Sequence, residues 1–269
     1  MRHSVQRWLA CSGAAAAIGA SVCLQAGPAG AAQVAPAGHE APAAQSAAAG
    51  TYVPPTINLN FGDHGPAVRS VQKRLNQLGY YAGAADGQYG NNLEEAVWAF
   101  KEVQGLPMTG GNPVITRAFR RALVNPRAPK VLVPNGGPGR IEINQSIQVL
   151  VLYRNNKPQL ILHVSTGGRY TYPCPGDPTA TCGPAITPDG NYKARWYYSG
   201  TLTVPLGYMK NPVFFIGSAY AIHGGDAVPW YPASHGCVRI YDDVVNWFHK
   251  LVVLGKTHIY VRGTAHPYV

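Results

Sequence analysis

Residues 140–164 read RIEINQSIQVLVLYRNNKPQLILHV. Arg140 to Asn144 alternates apolar with polar side chains. Ile147 to Tyr153 is rich in β-formers, Asn155-Asn156-Lys157 is a turn, and Gln159 to Val164 returns. A period of two on both sides of a turn predicts hairpin strands. Tyr192–Tyr198, Val213–Ile216 and His258–Val261 are further strand candidates. One helix stands among them, opened by Asp242, with Val244, Val245, Phe248, Leu251 and Val252 on one side and Gly255 at its end. Several strands with one helix predict a β-sandwich or barrel with an appended helix.

Upstream the period changes. In residues 57–124, Pro66 fits the opening position of a helix. Val68, Val71, Leu75 and Leu78 make one apolar stripe, and Gly79 ends it. A second helix opens at Asn92, with Glu95 in the capping-box position, and closes at Gly105. Its buried face carries Leu93, Ala96, Val97, Phe100 and Val103. A third starts near Asn112-Pro113 and runs to Val124. Residues 125–137, with Pro126, Pro129 and Pro134, read as a linker.

The chain has 269 residues, of which 46% are hydrophobic and only 13% charged, so it has material for a sizeable core and is not a disordered chain. The net charge of +10 predicts a polyanionic partner without naming it. Arg2, His3 and Arg7 precede an uncharged, alanine-rich run from Trp8 to Leu24, and small residues follow. That is the layout of a signal peptide, read here over 1–31. It predicts a secreted, extracytoplasmic protein that meets the membrane only transiently, and it argues against a nucleic-acid partner. Residues 32–56 are Ala/Pro-rich and read as a tether.

Cleavage would remove Cys11 and Cys23 and leave Cys174, Cys182 and Cys237. In an oxidising compartment Cys174 and Cys182 are expected to pair across a loop bent by Pro173, Pro175, Gly176 and Pro178. Cys237 is left over, and a leftover thiol outside the cytoplasm is a liability unless it is used.

Around it stand AIHGG at 221–225 and SHGCVR at 234–239. An imidazole can take a thiol proton, glycine leaves backbone N–H groups near a developing oxyanion, and an arginine fork suits a carboxylate. The cluster has three readings: a buried thiol with two structural histidines, a zinc site of His223, His235 and Cys237, or a Cys–His nucleophile. The spacing matches no usual metal pattern and no acidic general base lies near.

IHGG followed by SHGCVR closely resembles the motif of the L,D-transpeptidases, cysteine enzymes that cross-link peptidoglycan. The likeness spans about 138–263, where VSTGG (164–168) and TPDGNY (187–192) also look like that domain. GDHGPAVRSVQKRLNQLGYY (62–81), DGQYG (86–90) and AVWAFKEVQGL (96–106) resemble the three-helix peptidoglycan-binding module, with Lys101 where that family usually has Gln. The resemblance implies an α+β multidomain chain, a small three-helix domain followed by a mainly-β, sandwich-like catalytic domain.

By motif position, Cys237 would be the nucleophile and His223 the general base, with the backbone carbonyl of Gly224 orienting the imidazole. Ser234, His235 and Gly236 would support the oxyanion pocket, and Arg239 would contact substrate. Trp230 and Tyr231, between the motif halves, are cleft-lining candidates or ordinary loop aromatics. His163, on a strand, reads as packed or hydrogen-bonded. Eleven residues separate His223 from His235, a shorter insert than in many relatives, which implies a smaller lid. Peptidoglycan stem peptides and glycan are the implied partners, carbapenem-type compounds the implied inhibitors, and no cofactor or metal is implied. Two further readings remain: an L,D-carboxypeptidase, and a wall-binding protein without catalysis.

Overall fold

The structure is a computed structural model that describes residues 52–108, 110–225 and 227–266. The signal-peptide reading and most of the tether reading fall outside the described residues. Three helices come first: α1 (Pro66–Gln77), α2 (Asn91–Gln104) and α3 (Arg117–Val124). The strands follow as β1 (Arg140–Asn144), β2 (Val149–Arg154), β3 (Lys157–His163), β4 (Tyr172–Cys174), β5 (Asp177–Cys182), β6 (Gly190–Lys193), β7 (Trp196–Tyr197), β8 (Thr201–Val204), β9 (Gly207–Ile216), β10 (Tyr220–Gly224) and β11 (Val238–Arg239). Helix α4 (Asp242–Phe248), a 3-10 turn (His249–Leu251) and β12 (His258–Arg262) close the chain.

Helix α1 begins on Pro66 as its spacing predicts, and Gly79, just past its end, has a positive φ of 89°. Helix α2 starts one residue earlier than predicted. Gly90 caps it without a side-chain bond, so the Asn92/Glu95 capping box does not form. Asn92 instead donates from Nδ2 to Asp243 on α4 at 2.6 Å. Helix α3 is shorter than predicted, because Thr116 takes the cap by accepting from the Phe119 N–H.

Among the described residues the strands form two five-stranded sheets and the separate β4–β5 hairpin. The first sheet runs β3-β2-β1-β12-β6, with β1 and β12 parallel. The second runs β11-β10-β9-β7, with β8 also on β9 and β10 parallel to β11. Leu150, Leu152, Leu160 and Leu162 of the first sheet share one core with Val213, Phe215 and Ile222 of the second and with Val244, Val245 and Phe248 of α4. This is the sandwich with an appended helix that the pattern predicts. Hairpin β4–β5 and strand β8 lie outside the predicted strands, although Thr201–Val204 alternates polar with apolar side chains.

The alternate residues of β2 and β3 decide how the helical module attaches. Val149, Val151, Tyr153 and Ile161 point to the other face of the sheet and join the core built by Val71, Leu75, Val97, Phe100 and Phe119. Both faces of this sheet are therefore covered, which is why β2 reads as the unbroken run VLVLY with every residue buried. Segment 125–137 has no helix or strand and is fastened at both ends. Arg127 exchanges two hydrogen bonds with Gln104, and the Leu132 N–H donates to the Glu142 carboxylate at 2.7 Å.

Glu95, on α2, sits at this junction with one carboxyl oxygen buried and unpartnered among the described residues. Burial pushes its carboxyl up to about 8; the charge of His163 opposes the shift, and those of Glu94 and Glu102 add to it. Above its ordinary 4.5 the unfolded carboxyl releases a proton that the folded one keeps to about 8, so raising the pH through that window removes stability, up to about 1.4 kcal/mol per unit. Glu95→Gln should therefore gain thermal stability over the wild type as pH rises from about 5 to about 8. Parallel melting curves across that range would mean that the folded carboxyl is ionised.

Candidate active site

His223 lies on β10, one residue from the strand's end, and is 3% exposed. Its Nδ1 is 2.8 Å from the Gly224 carbonyl oxygen. A carbonyl only accepts, so Nδ1 carries the hydrogen and Nε2 of the neutral ring keeps a lone pair. Gly224 has no room for a side chain: a Cβ there would meet Asp242 Oδ1 at 2.5 Å and Val245 Cγ1 at 2.6 Å. Asp242, first residue of α4, also accepts from the Gly225 N–H at 2.6 Å and pairs with Lys210 at 3.0 Å. The backbone behind the imidazole is thus pinned from two sides.

Cys237 lies outside the disulfide, is half-buried, and immediately precedes β11, which runs parallel to β10 with His223 opposite Arg239. Its sulfur is 3.6 Å from the Ala219 carbonyl oxygen. The turn before it is closed by Ser234, whose hydroxyl accepts from the Gly236 N–H at 3.0 Å and donates to the Cys237 carbonyl. The Gly236 N–H is therefore directed into the turn rather than toward an oxyanion. Glycine is needed there, since φ is 146° and a Cβ would meet Ile186 O at 2.8 Å. Thr187 ties the motifs together: its hydroxyl accepts from the Gly167 N–H at 2.9 Å and donates to the Gly236 carbonyl at 2.7 Å.

His223, Ser234, His235, Gly236, Cys237 and Arg239 line one cleft of about 550 Å³, the size of a small-ligand site. One wall is hairpin β4–β5, which carries the Cys174–Cys182 disulfide. Tyr172 of this hairpin meets the His235 ring edge-on at 4.5 Å, and Tyr170, 5.8 Å from that ring, donates to the Ala233 carbonyl at 2.9 Å. The opposite wall is the β8–β9 hairpin, whose Leu206 and Tyr208 are apolar and exposed.

Trp230 and Tyr231 do not line this cleft. They face a second groove with Glu102, Met108, Gln145 and His266, because Ser165 holds their segment by donating to the Tyr231 carbonyl at 2.8 Å. His163 is buried and hydrogen-bonded, as its strand position predicts. Among the described residues no three His, Cys, Asp or Glu side chains are clustered to hold a metal ion. The supports from Tyr170, Tyr172, Thr187 and Asp242 escaped the sequence reading. VSTGG and TPDGNY flag the region of the first three, and only as family-like stretches.

A family model of the L,D-transpeptidase catalytic domain matches residues 138–261, and one of a peptidoglycan binding domain matches 64–111. A search of curated proteins gave no match. Among solved structures, an L,D-transpeptidase from Xylanimonas cellulosilytica is 32% identical, with a TM-score of 0.69 over 78% of this chain and all of that one. An L,D-transpeptidase from Stackebrandtia nassauensis is 17% identical, with a TM-score of 0.44 over 79% of this chain and 98% of that one.

Replacing both Cys174 and Cys182 with Ser should loosen the wall that meets His235, since a bridge over so short a loop contributes about 2–3 kcal/mol on the chain-entropy model. Alkylation of Cys237 by a small reagent should then change rate, measured well below a melting temperature lowered by roughly 4–12 °C. An unchanged alkylation rate would mean that the hairpin does not shape the site.

Proposed function

The chain belongs to the L,D-transpeptidase family, and on that footing we propose that it forms 3→3 cross-links between peptidoglycan stem peptides through a thioester on Cys237. The observation that carries the reading is the bond from His223 Nδ1 to the Gly224 carbonyl, which leaves Nε2 as the base in the cleft that holds the thiol. His223 takes the proton of Cys237, and the thiolate attacks the carbonyl carbon of the third residue of a tetrapeptide stem. The oxyanion forms beside the Ser234–Cys237 turn, with His235 at its edge. The imidazolium returns its proton to the departing D-alanine nitrogen as the peptide bond breaks, and the thioester remains. The side-chain amine of a neighbouring stem then attacks the thioester and gives up its proton to the imidazole. The Cys237 sulfur leaves and is reprotonated. Arg239 binds a carboxylate of the stem. Water in place of the amine makes the same acyl-enzyme an L,D-carboxypeptidase.

In this reading residues 57–124 form the wall-binding module, 125–137 the linker and 138–263 the catalytic domain. Residues 1–31 direct export, 32–56 tether the folded part, and the enzyme works outside the cytoplasm on the wall. Its glycan and peptides are the partners, and carbapenem-type compounds acylate Cys237.

Mass spectrometry of the purified protein after incubation with a tetrapeptide stem tests the reading. An adduct on Cys237 equal to the stem without its terminal D-alanine is expected. It should be absent in Cys237→Ala, which keeps its binding to isolated walls, and slowed at least ~100-fold in His223→Ala. Unmodified protein with a reduced thiol would refute the covalent mechanism and leave a wall-binding protein.

A further inference from the structure

His163, the last residue of β3, is fully buried at its side chain and does not line the cleft of Cys237. Its partners come from two distant parts of the chain. Nδ1 faces both oxygens of Glu102 on α2, at 2.9 and 3.1 Å. Nε2 meets the Pro229 carbonyl at 2.9 Å. Pro229 belongs to the segment that joins Gly224, behind the imidazole of His223, to the Ser234–Cys237 turn. That segment continues along the extension of β3. Ser165 donates to the Tyr231 carbonyl and accepts from the Ala233 N–H at 2.8 Å, and the Ser234 N–H donates to the Thr166 carbonyl at 3.0 Å. His163 is the first anchor of this series, and its ring is held from behind by the helical module.

We propose that Glu102 and His163 are positioning residues for the reaction proposed above: through the Pro229 carbonyl they hold the segment that sets His223 and Cys237 relative to each other. The inference rests on that functional reading and goes beyond it, because it makes a helix of the wall-binding module part of the catalytic framework. The proton count shows how the pair works. The Pro229 carbonyl can only accept, so Nε2 must carry a hydrogen. Nδ1 and the carboxyl then share one proton between them. Burial pushes the Glu102 carboxyl up and the His163 imidazole down; Lys101 opposes the first shift, and Glu95 and Glu94 oppose the second. Burial disfavours a charge on either group, and in the neutral arrangement the Glu102 carboxyl donates to Nδ1. This fixes the tautomer that donates to Pro229. The role of Glu102 is a directed hydrogen bond, not a charge.

Two substitutions separate these roles. Glu102→Gln loses the charge but keeps an N–H donor at the same reach. Glu102→Asp keeps the acid but withdraws it by one methylene. Phe119→Leu, buried in the module core away from His163, controls for general loss of stability. Turnover and amide hydrogen exchange over residues 227–234 are measured on the full chain well below the melting temperature. The Gln variant is expected to keep kcat within about threefold. The Asp variant should lose kcat roughly 10- to 100-fold with KM little changed, and exchange faster over 227–234. Phe119→Leu should do neither. An Asp variant that matches the wild type in either readout, a Gln variant as slow as the Asp variant, or an equal loss in Phe119→Leu would overturn the proposal. Exchange reads the clamp without any substrate, so turnover absent from the wild type itself refutes the functional reading, whereas unchanged exchange in Glu102→Asp refutes the clamp.

Discussion

Strands β2 and β3 of the first sheet are apolar on both faces, and most of the architecture follows from covering them. One face meets the second sheet and α4, the other meets α2 and its neighbours. Burial of such surface is worth about 25 cal/mol per Å², and neither face can be left wet. The helical module is therefore seated by Val149, Val151, Tyr153 and Ile161, side chains that belong by sequence to the sandwich. The buried Arg140–Glu142 pair shows the same economy. Its carboxylate receives N–H groups from Leu132 and Val133, and its guanidinium lies over the Tyr153 ring at 4.0 Å. The guanidinium also donates to the Gly137 carbonyl and to Asn156, so both charges have hydrogen-bond partners besides each other, as burial requires.

The cleft is built on the far side of this framework from short pieces of many elements. His223 lies on β10 and Cys237 just before its parallel neighbour β11, a pairing that needs only a crossover between them. Residues 227–236 of the crossover are tied to residues 163–168 by the side chains of His163 and Ser165 and by backbone bonds between Ser234 and residues 166 and 168. Glycines stand where backbone approaches backbone, at Gly167 and Gly236, and serine and threonine hydroxyls close the remaining gaps. The hydroxyls of Ser165, Thr187 and Ser234 each both donate and accept.

Period and punctuation made the larger elements legible. The hairpin at 140–164, the stripe of α1 and the Gly105 stop were readable because each rests on local spacing. The Asn92/Glu95 cap failed because Glu95 is drawn into the domain junction, a tertiary demand that no local motif reveals. Hairpin β4–β5 was illegible for another reason: it buries little apolar surface, so its strands carry no run of large apolar side chains to read. At the site, His223 and Cys237 were flagged by the chemistry of their motif, and Gly224 only by the family resemblance. Trp230 and Tyr231 were placed by sequence proximity to that motif. The bonds from His163 and Ser165 turn their segment toward the module, and sequence distance carries no trace of them.

The shared core also bears on how this chain divides. A fragment beginning at Pro138 would retain every residue that lines the cleft, yet it would turn Val149, Val151, Tyr153 and Ile161 out to water as one continuous oily face. Nothing in the sandwich can fold over to hide it. The two sequence families meet in this chain as a single folding unit, and cutting between them exposes an interior.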